Sequence, residues 1–338
     1  MVNAKQVAAL AGVSSATVSR ALSSPEQLRP ETLRRVNAAI AQLDYIPFAP
    51  ARVLRSGRTR SIGIVAPTLM NELYAKAVDS LENTLDELGY TVLLTCYRNK
   101  PEVELRGVRA VLERHVEGMA IIGTQHHPSI LRLVRRQQIP YVLMWATDQE
   151  RQHPTVGYDN RLALRRITSY LVQLGHRHFA VLAGPYDTQQ LAMQRVSGVR
   201  DVLTEYRIEL DADAIVATPY DTEAVRVATR RLLARVPRPT ALICNNDLLA
   251  SAAIAECRAL GVSVPADISI TGFGDWELAQ LITPTLTTMR SNPVYIGEVS
   301  AQNLIAQING TASAEVAQTE FEPELMIRES TGSPPDTA

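Results

Sequence analysis

The sequence predicts a multi-domain protein: an all-α helix-turn-helix headpiece joined to an α/β core of two doubly wound parallel-sheet subdomains. Three observations predict this. The chain has 338 residues, more than one ordinary compact core accommodates. Its first sixty residues carry nine basic and three acidic side chains, while the whole chain has a net charge of -1, so a basic head precedes an acidic body. Beyond residue 60, short apolar runs alternate with amphipathic stretches, the pattern of parallel sheets covered by helices on both faces.

Composition narrows the class. With 46% hydrophobic and 20% charged residues the chain is a packed globular protein and not a disordered one. No apolar run is long enough to span a membrane and the first residues carry no secretory signature, so a cytoplasmic protein is expected. Cys96, Cys244 and Cys257 fall singly in apolar segments, without metal-ligand spacing. Neither a disulfide, a zinc site nor a cofactor is expected.

In the head, Asn3 can cap a helix running to Ala11, Gly12 supplies a turn, and Ser14 can cap a second helix from Ser15 to about Ala21. Val7, Leu10, Val13, Val18 and Leu22 fall at helical spacings. A third segment, opened by Pro30, places Leu33, Val36, Ile40 and Leu43 on one stripe. The outer side of the second helix then carries Ser15, Ala16, Thr17, Ser19 and Arg20. Small side chains let a helix enter a major groove closely, hydroxyls reach phosphates or base edges, and an arginine can bond guanine through two atoms. The alternatives are a helical hairpin for protein contacts and a merely solvated basic surface. From Phe48 to Arg60 follows a short basic stretch, too short for a stable isolated helix. It reads either as a segment that orders on a partner or as a flexible linker.

In the body, strands are expected at residues 62–66, 92–96, 119–122, 142–145, 179–182, 241–244 and 268–271, with helices at 72–88, 162–174 and 248–260 among those between them. Ligands of such sheets bind in the crevice beyond the carboxyl ends of the strands. Tyr74, Trp145, Tyr158 and Tyr220 can offer flat faces to a sugar ring there. Arg195, Asn246, Asp247 and Asp275 can bond hydroxyls or a carboxylate. No phosphate-binding glycine loop and no nucleophile elbow is present, and His126-His127 and His176-Arg177-His178 read as surface-loop histidines, so no enzyme is expected.

The run from Val7 to Leu22, VAALAGVSSATVSRAL, resembles the DNA-binding headpiece of the lactose and galactose repressor family. The resemblance continues through Leu43-Asp44-Tyr45-Ile46-Pro47, Leu54-Arg55-Ser56-Gly57, Leu174-Gly175-His176-Arg177, Leu182-Ala183-Gly184-Pro185, Asn246-Asp247 and the segment from Pro284 to Met289. It covers nearly the whole chain. Ser24-Pro25-Glu26-Gln27, Ala66-Pro67-Thr68-Leu69, Lys100-Pro101-Glu102 and Gly157-Tyr158-Asp159-Asn160 are most similar to the gluconate-repressor branch.

The resemblance implies a headpiece at 1–47, a hinge helix at 48–60 and an effector-binding core at 61–329 like that of periplasmic sugar-binding proteins. Within the core, one subdomain takes about 61–158 and 291–321 and the other about 159–290 and 322–329, with crossovers near Tyr158, Arg290 and Phe321. A flexible tail at 330–338 would follow. The resemblance further implies a regulator, a repressor, bound to double-stranded operator DNA. Leu54 would wedge into the minor groove with Arg52 and Arg55 near phosphates. Arg195 matches the family's effector-binding arginine and Asn246 its strand-end asparagine, while Tyr74, Trp145 and Tyr220 match pocket-lining positions. The tail lacks a leucine heptad, so a homodimer is expected.

Three positions depart from the family pattern. Phe48 stands where asparagine is usual, Arg29 replaces a capping serine or threonine, and Gly274 occupies the place of a ligand-bonding aspartate. Asp275 is the nearest substitute for that aspartate. Because a guanidinium pairs equally with a carboxylate or with two hydroxyls, Arg195 leaves the effector open between a neutral sugar and a sugar acid such as gluconate.

Overall fold

A computed structural model of the chain describes residues 2–46, 58–123, 125–148, 150–185, 189–312 and 318–335. The chain divides into two compact units, Met1–Thr59 and Arg60–Ala338.

The first unit holds α1 (Ala4–Ala11), α2 (Ser15–Ser23) and α3 (Pro30–Gln42). Asn3 opens α1 with a capping box: its side chain accepts from the Lys5 and Gln6 amides, and the Gln6 side chain accepts from the Asn3 amide. Gly12 closes α1 at φ 64°, a left-handed conformation that glycine adopts without a steric penalty. Ser14 caps α2 through the Thr17 amide at 3.1 Å. Arg29 stands at the N-cap of α3 and makes no side-chain cap bond there, since a guanidinium has no acceptor. Pro30 partly compensates by lacking one of the unpaired amides of the first turn. Val7, Ala8, Ala11, Val18, Ala21, Val36 and Ala39 form the buried core. Leu10 and Leu22 are exposed instead of belonging to it, because the buried stripe passes through the smaller Ala8, Ala11 and Ala21.

The second unit contains two parallel sheets. The larger has strand order β11-β5-β4-β3-β1-β2, from β1 (Ser61–Ala66), β2 (Thr91–Cys96), β3 (Gly118–Ile122), β4 (Tyr141–Met144), β5 (Thr155–Gly157) and β11 (Gln318–Glu320). The smaller has order β7-β6-β8-β9, from β6 (Phe179–Ala183), β7 (Ile215–Ala217), β8 (Ala241–Cys244) and β9 (Ser269–Thr271). Antiparallel β10 (Thr288–Arg290) and β12 (Glu324–Met326) form a separate ribbon. The chain passes between the sheets three times: after β5, along β10, and between β11 and β12.

The helices that position the site are α4 (Glu72–Glu87), α5 (Pro101–Leu112), α6 (Ser129–Arg136), α7 (Asn160–Gln173), α8 (Gln190–Glu205), α9 (Thr222–Leu233), α10 (Asp247–Ala259), α11 (Leu278–Leu281) and α12 (Pro293–Ile308). The helix α12 packs tightly on α4, because a Cβ on Gly297 would stand 2.4 Å from the Ala77 carbonyl oxygen. Continuous apolar runs on the central strands are buried on both faces, as parallel sheets require.

One expectation fails at the C-terminus. Residues 330–332 are docked and not a flexible tail: Ser330 is buried and its Oγ donates to the Ile270 carbonyl, while the Gly332 amide donates to Ser269 Oγ. His176, read from sequence as a surface-loop residue, is buried beneath this segment. Its Nδ1 meets Thr240 Oγ1 at 2.9 Å and its Nε2 lies 3.0 Å from the Gly332 carbonyl. It therefore fastens the C-terminal segment to the smaller sheet.

Candidate functional site

Two surfaces of the chain carry the chemistry. On the headpiece, Ser15, Ala16 and Arg20 are exposed along α2, and Thr17 and Ser19 are half-buried. The Thr17 hydroxyl shares a 3.0 Å hydrogen bond with Ser14 Oγ. The first turn of α2 thus presents small side chains beside the positive end of a helix dipole, which suits approach to a phosphate backbone. Leu54, Arg52 and Arg55, with the rest of 47–57, lie outside the described residues.

In the core, a cavity of about 450 Å³ lies at the carboxyl ends of both sheets. From the larger sheet it is walled by Pro67 and Thr68 after β1, Tyr97 after β2, and Gly123, Gln125, His126, His127 and Pro128 after β3, with Tyr74 from α4 and Glu104 from α5. From the smaller sheet come Gln189 and Gln190, Tyr220 after β7, Asn246 and Leu248 after β8, and Trp276 after β9. It is a ligand-sized space with an apolar wall and polar groups distributed around it, and among the described residues no arginine or lysine lines it.

Of the residues singled out from sequence, Tyr74, Tyr220 and Asn246 line this cavity. Asn246 is the N-cap of α10, its Oδ1 accepting from the Leu249 amide at 2.8 Å, which leaves the amide nitrogen as the donor unused by the cap. Tyr220 donates to Gln189 Oε1 at 3.0 Å. It fits because position 184 is glycine: a Cβ there would stand 2.1 Å from the Tyr220 oxygen.

Trp145, Tyr158 and Arg195 form a layer around those residues and do not line the cavity. Trp145 meets Tyr74 edge-on with ring centres 5.0 Å apart, and holds a left-handed backbone at φ 61°, uncommon for a bulky residue. The Arg195 guanidinium lies 3.8 Å over the Phe273 ring, donating from Nε to Asn160 Oδ1 and from Nη1 to the Asn245 carbonyl, each at 2.8 Å. Burial pushes the hydroxyls of Tyr74, Tyr158 and Tyr220 above the usual tyrosine range, and the charge of Arg195 opposes that rise at all three. Arg195 is therefore an electrostatic neighbour of the cavity wall.

Asp275 is placed elsewhere. Its carboxylate is buried between Arg290 and Arg328 and does not reach the cavity. Asp247, at the first position of α10, is also fully buried. One of its oxygens accepts from the Thr288 hydroxyl and the other from the Trp276 amide at 2.7 Å. Its carboxyl is pushed up to about 7, first by burial, against the hydrogen bonds that favour the ion.

Two residues, Trp276 and Glu104, escaped the sequence reading, and a third, His126, was misplaced by it. Trp276 lines the cavity with its indole nitrogen buried and without a hydrogen-bond partner. The only sequence signal was its place immediately after the Gly274-Asp275 departure. Glu104 and His126 were not linked, and His126 is corrected from a surface-loop histidine to a buried one. Its Nδ1 lies 2.6 Å from Glu104 Oε1 and its Nε2 2.9 Å from the Gly123 carbonyl. Among the described residues no group of three or more histidine, cysteine or acidic side chains is placed to hold a metal, and no helix is long and apolar enough to cross a membrane.

A helix-turn-helix ahead of two facing parallel sheets with a ligand-sized crevice defines a DNA-binding regulator with a periplasmic-binding-protein-like core. Models of known families match both parts: bacterial regulatory proteins of the lacI family over residues 3–47 and the periplasmic binding protein-like domain over 168–331. The HTH-type transcriptional regulator GntR of Escherichia coli K12 is 30% identical over 309 residues, covering 90% of this chain and 92% of that one. The HTH-type transcriptional repressor PurR of Klebsiella pneumoniae is 29% identical over 337 residues, covering 99% and 98%. Among solved structures, a lac repressor dimer bound to operator and an anti-inducer superposes with a TM-score of 0.86 at 26% identity, covering 98% of this chain and 99% of that one. A complex of the regulator CelR with cellobiose does so with a TM-score of 0.72 at 28% identity, covering 98% and 100%. The chain belongs to the lacI family. It is a DNA-binding transcriptional regulator controlled by a small molecule, and no enzyme.

Proposed function

We propose that the protein is a homodimeric repressor whose affinity for a pseudo-palindromic operator is set by a small carbohydrate or sugar acid, gluconate-like in size, held between the two sheets of the core. Ser15, Ala16, Thr17, Ser19 and Arg20 would face the major groove. Leu54 would enter the minor groove with Arg52 and Arg55 on the flanking phosphates. Tyr74, Tyr220 and Asn246 would touch the effector, with Trp145, Tyr158 and Arg195 supporting or reaching it.

The observation that carries this reading is the cavity itself, placed where seven strands of two parallel sheets end and walled by aromatic and amide side chains. Aromatic faces take the apolar side of a sugar ring while amides bond its hydroxyls. Dimerisation is supported by the operator-bound dimer of the lac repressor structure, since a two-fold protein matches a two-fold site. Occupation of the crevice would favour one relative setting of the sheets, with a coupling of about 1–3 kcal/mol between effector and operator.

Fluorescence anisotropy on duplexes from the neighbourhood of the protein's own gene, with and without a panel of sugars and sugar acids, tests the proposal. The expected result is specific binding that one ligand alters and that weakens steeply with salt as phosphate contacts release counterions. Equal binding to all duplexes, with or without every ligand, would overturn it.

A further inference from the structure

The larger sheet carries a second set of contacts at its other edge, where the chain enters the core. The second compact unit begins at Arg60, directly before β1. Three neighbouring strands, in the order β3-β1-β2, each lead to a cavity residue at the carboxyl end: Gly123 after β3, Pro67 after β1 and Tyr97 after β2. At the amino end the same strands are preceded by Glu117, Arg60 and Tyr90, and the Glu117 carboxylate joins all three.

Arg60 is held from three sides. Its amide donates to Glu117 Oε1 at 2.7 Å, and its carbonyl accepts from the Thr91 amide at 2.8 Å. Its guanidinium lies over the turn before β2, where a Cβ on Gly89 would stand 2.9 Å from Nη1. The other Glu117 oxygen accepts from the Tyr90 hydroxyl at 3.4 Å, and the Glu117 amide donates to the Ser61 carbonyl at 2.8 Å. The residue that fastens Arg60 is thus itself fastened to β1 and to the start of β2.

This hold works against the residue's own preference. Arg60 has φ 48°, a left-handed conformation uncommon outside glycine, and such a conformation persists where the surrounding bonds over-determine it. With its amide released, the backbone would relax toward an ordinary region and the chain before it would leave in another direction. The strands between the two edges are five or six residues long, about 17–20 Å. Residues 62–66 of β1 and all of β3 are buried, and strands packed in this way tilt as one body instead of bending.

Resting on the operator reading above, we infer that Glu117 is a positioning residue for the control of DNA binding: its carboxylate makes Arg60 part of the larger sheet, so that a change in the sheet's setting at the cavity end reaches the stretch between headpiece and core without slack. Every residue before Arg60 is joined covalently to the core through it. A loose residue at that place would let the sheet move while the chain before it stayed where it was. Fixing one direction of exit also lowers the ordering cost of docking on DNA.

The test uses the full chain with Glu117→Ala, which removes both acceptors, and Glu117→Gln, which keeps an oxygen for the Arg60 amide. Hydrogen exchange is followed at residue 60, and anisotropy is measured on duplexes from the neighbourhood of the protein's own gene, with and without glucose, gluconate and cellobiose. In E117A the residue 60 amide should exchange about tenfold faster. The tighter of the ligand-free and ligand-bound operator affinities should fall about fivefold, which shrinks the ratio between them. Ligand affinity by calorimetry and binding to unrelated duplexes should stay within about twofold, and E117Q should match the parent throughout. Melting of each variant separates folding from positioning. An E117A protein that binds and switches as the parent does overturns the inference. So does an E117A that loses ligand affinity in the same proportion, or an E117Q that fails as E117A does, since either gives Glu117 a purely structural place. If none of the three ligands alters operator binding by the parent, the effector reading fails for them, and an unchanged ligand-free operator affinity in E117A overturns the inference by itself. A parent that binds every duplex equally overturns the operator reading and this inference with it.

Discussion

A Cβ on Gly274 would stand 2.5 Å from the indole ring of Trp276, so the glycine is a condition for that tryptophan's place in the cavity wall. The backbone there has φ 132°, which other residues rarely adopt. Restoring an aspartate as Gly274→Asp therefore displaces the indole and strains the chain. We expect a loss of about 2–4 kcal/mol in stability and a changed tryptophan emission, read by denaturant titration. An unchanged spectrum and midpoint would show that Trp276 does not depend on the glycine.

Arg29 occupies the N-cap of α3 with suitable extended backbone, φ -63° and ψ 139°, and no cap bond. Replacing it by serine should supply the missing acceptor and raise headpiece stability by about 1 kcal/mol. Calorimetry on the full chain would show the headpiece transition moving up. A transition that stays in place would mean Pro30 already does all that the first turn needs.

Asp247 links stability to pH. Its carboxyl has an ordinary value of 3.8 and is pushed up to about 7 in the folded chain. Between those values the folded state holds a proton that unfolding releases, so the stability this group confers below pH 3.8 is lost as pH rises through 7. Asp247→Asn mimics the neutral acid, since an amide can donate toward Thr288 and still accept from the Trp276 amide. The variant should show a flatter midpoint-versus-pH curve from pH 5 to 8 and exceed the parent at the alkaline end. Parallel curves would place the titration elsewhere.

Arg195→Ala removes the donors to Asn160 and Asn245 and the cation over Phe273. It should abolish the effector-dependent change in operator affinity while leaving ligand-free operator affinity within about threefold, because the headpiece is a separate compact unit that does not contain Arg195. A response of undiminished size in anisotropy titrations would clear Arg195 of the role.

The sequence made the framework legible where elements were long and apolar. The strands at Ile62, Val92, Met119, Val142, Phe179, Ala241 and Ile268 were readable from their runs, and Asn3, Gly12 and Ser14 from their capping chemistry. The three-residue strands β5, β7, β10, β11 and β12 were not, because so short a segment has no period to detect and is fixed only by its neighbours in the sheet. The same division holds in the cavity. Tyr74, Tyr220 and Asn246 could be placed by position after a strand or on the first helix of the core. The Glu104–His126 contact joins α5 to a loop twenty-two residues on, and nothing local to either residue marks it. Asp275 misled for the converse reason: it lies next to the expected position, but Arg290 and Arg328, distant in sequence, claim its carboxylate.

Three passages of chain join the two sheets, after β5, along β10, and between β11 and β12. A protease that nicks one of them leaves the halves tethered by the other two, so the cut product should migrate as an intact particle until denatured. The same arrangement forbids the halves from being expressed as two uninterrupted gene fragments, since each is assembled from separate stretches of the polypeptide. Three connections in place of one also limit how far the two sheets can separate, so the crevice between them keeps both of its walls.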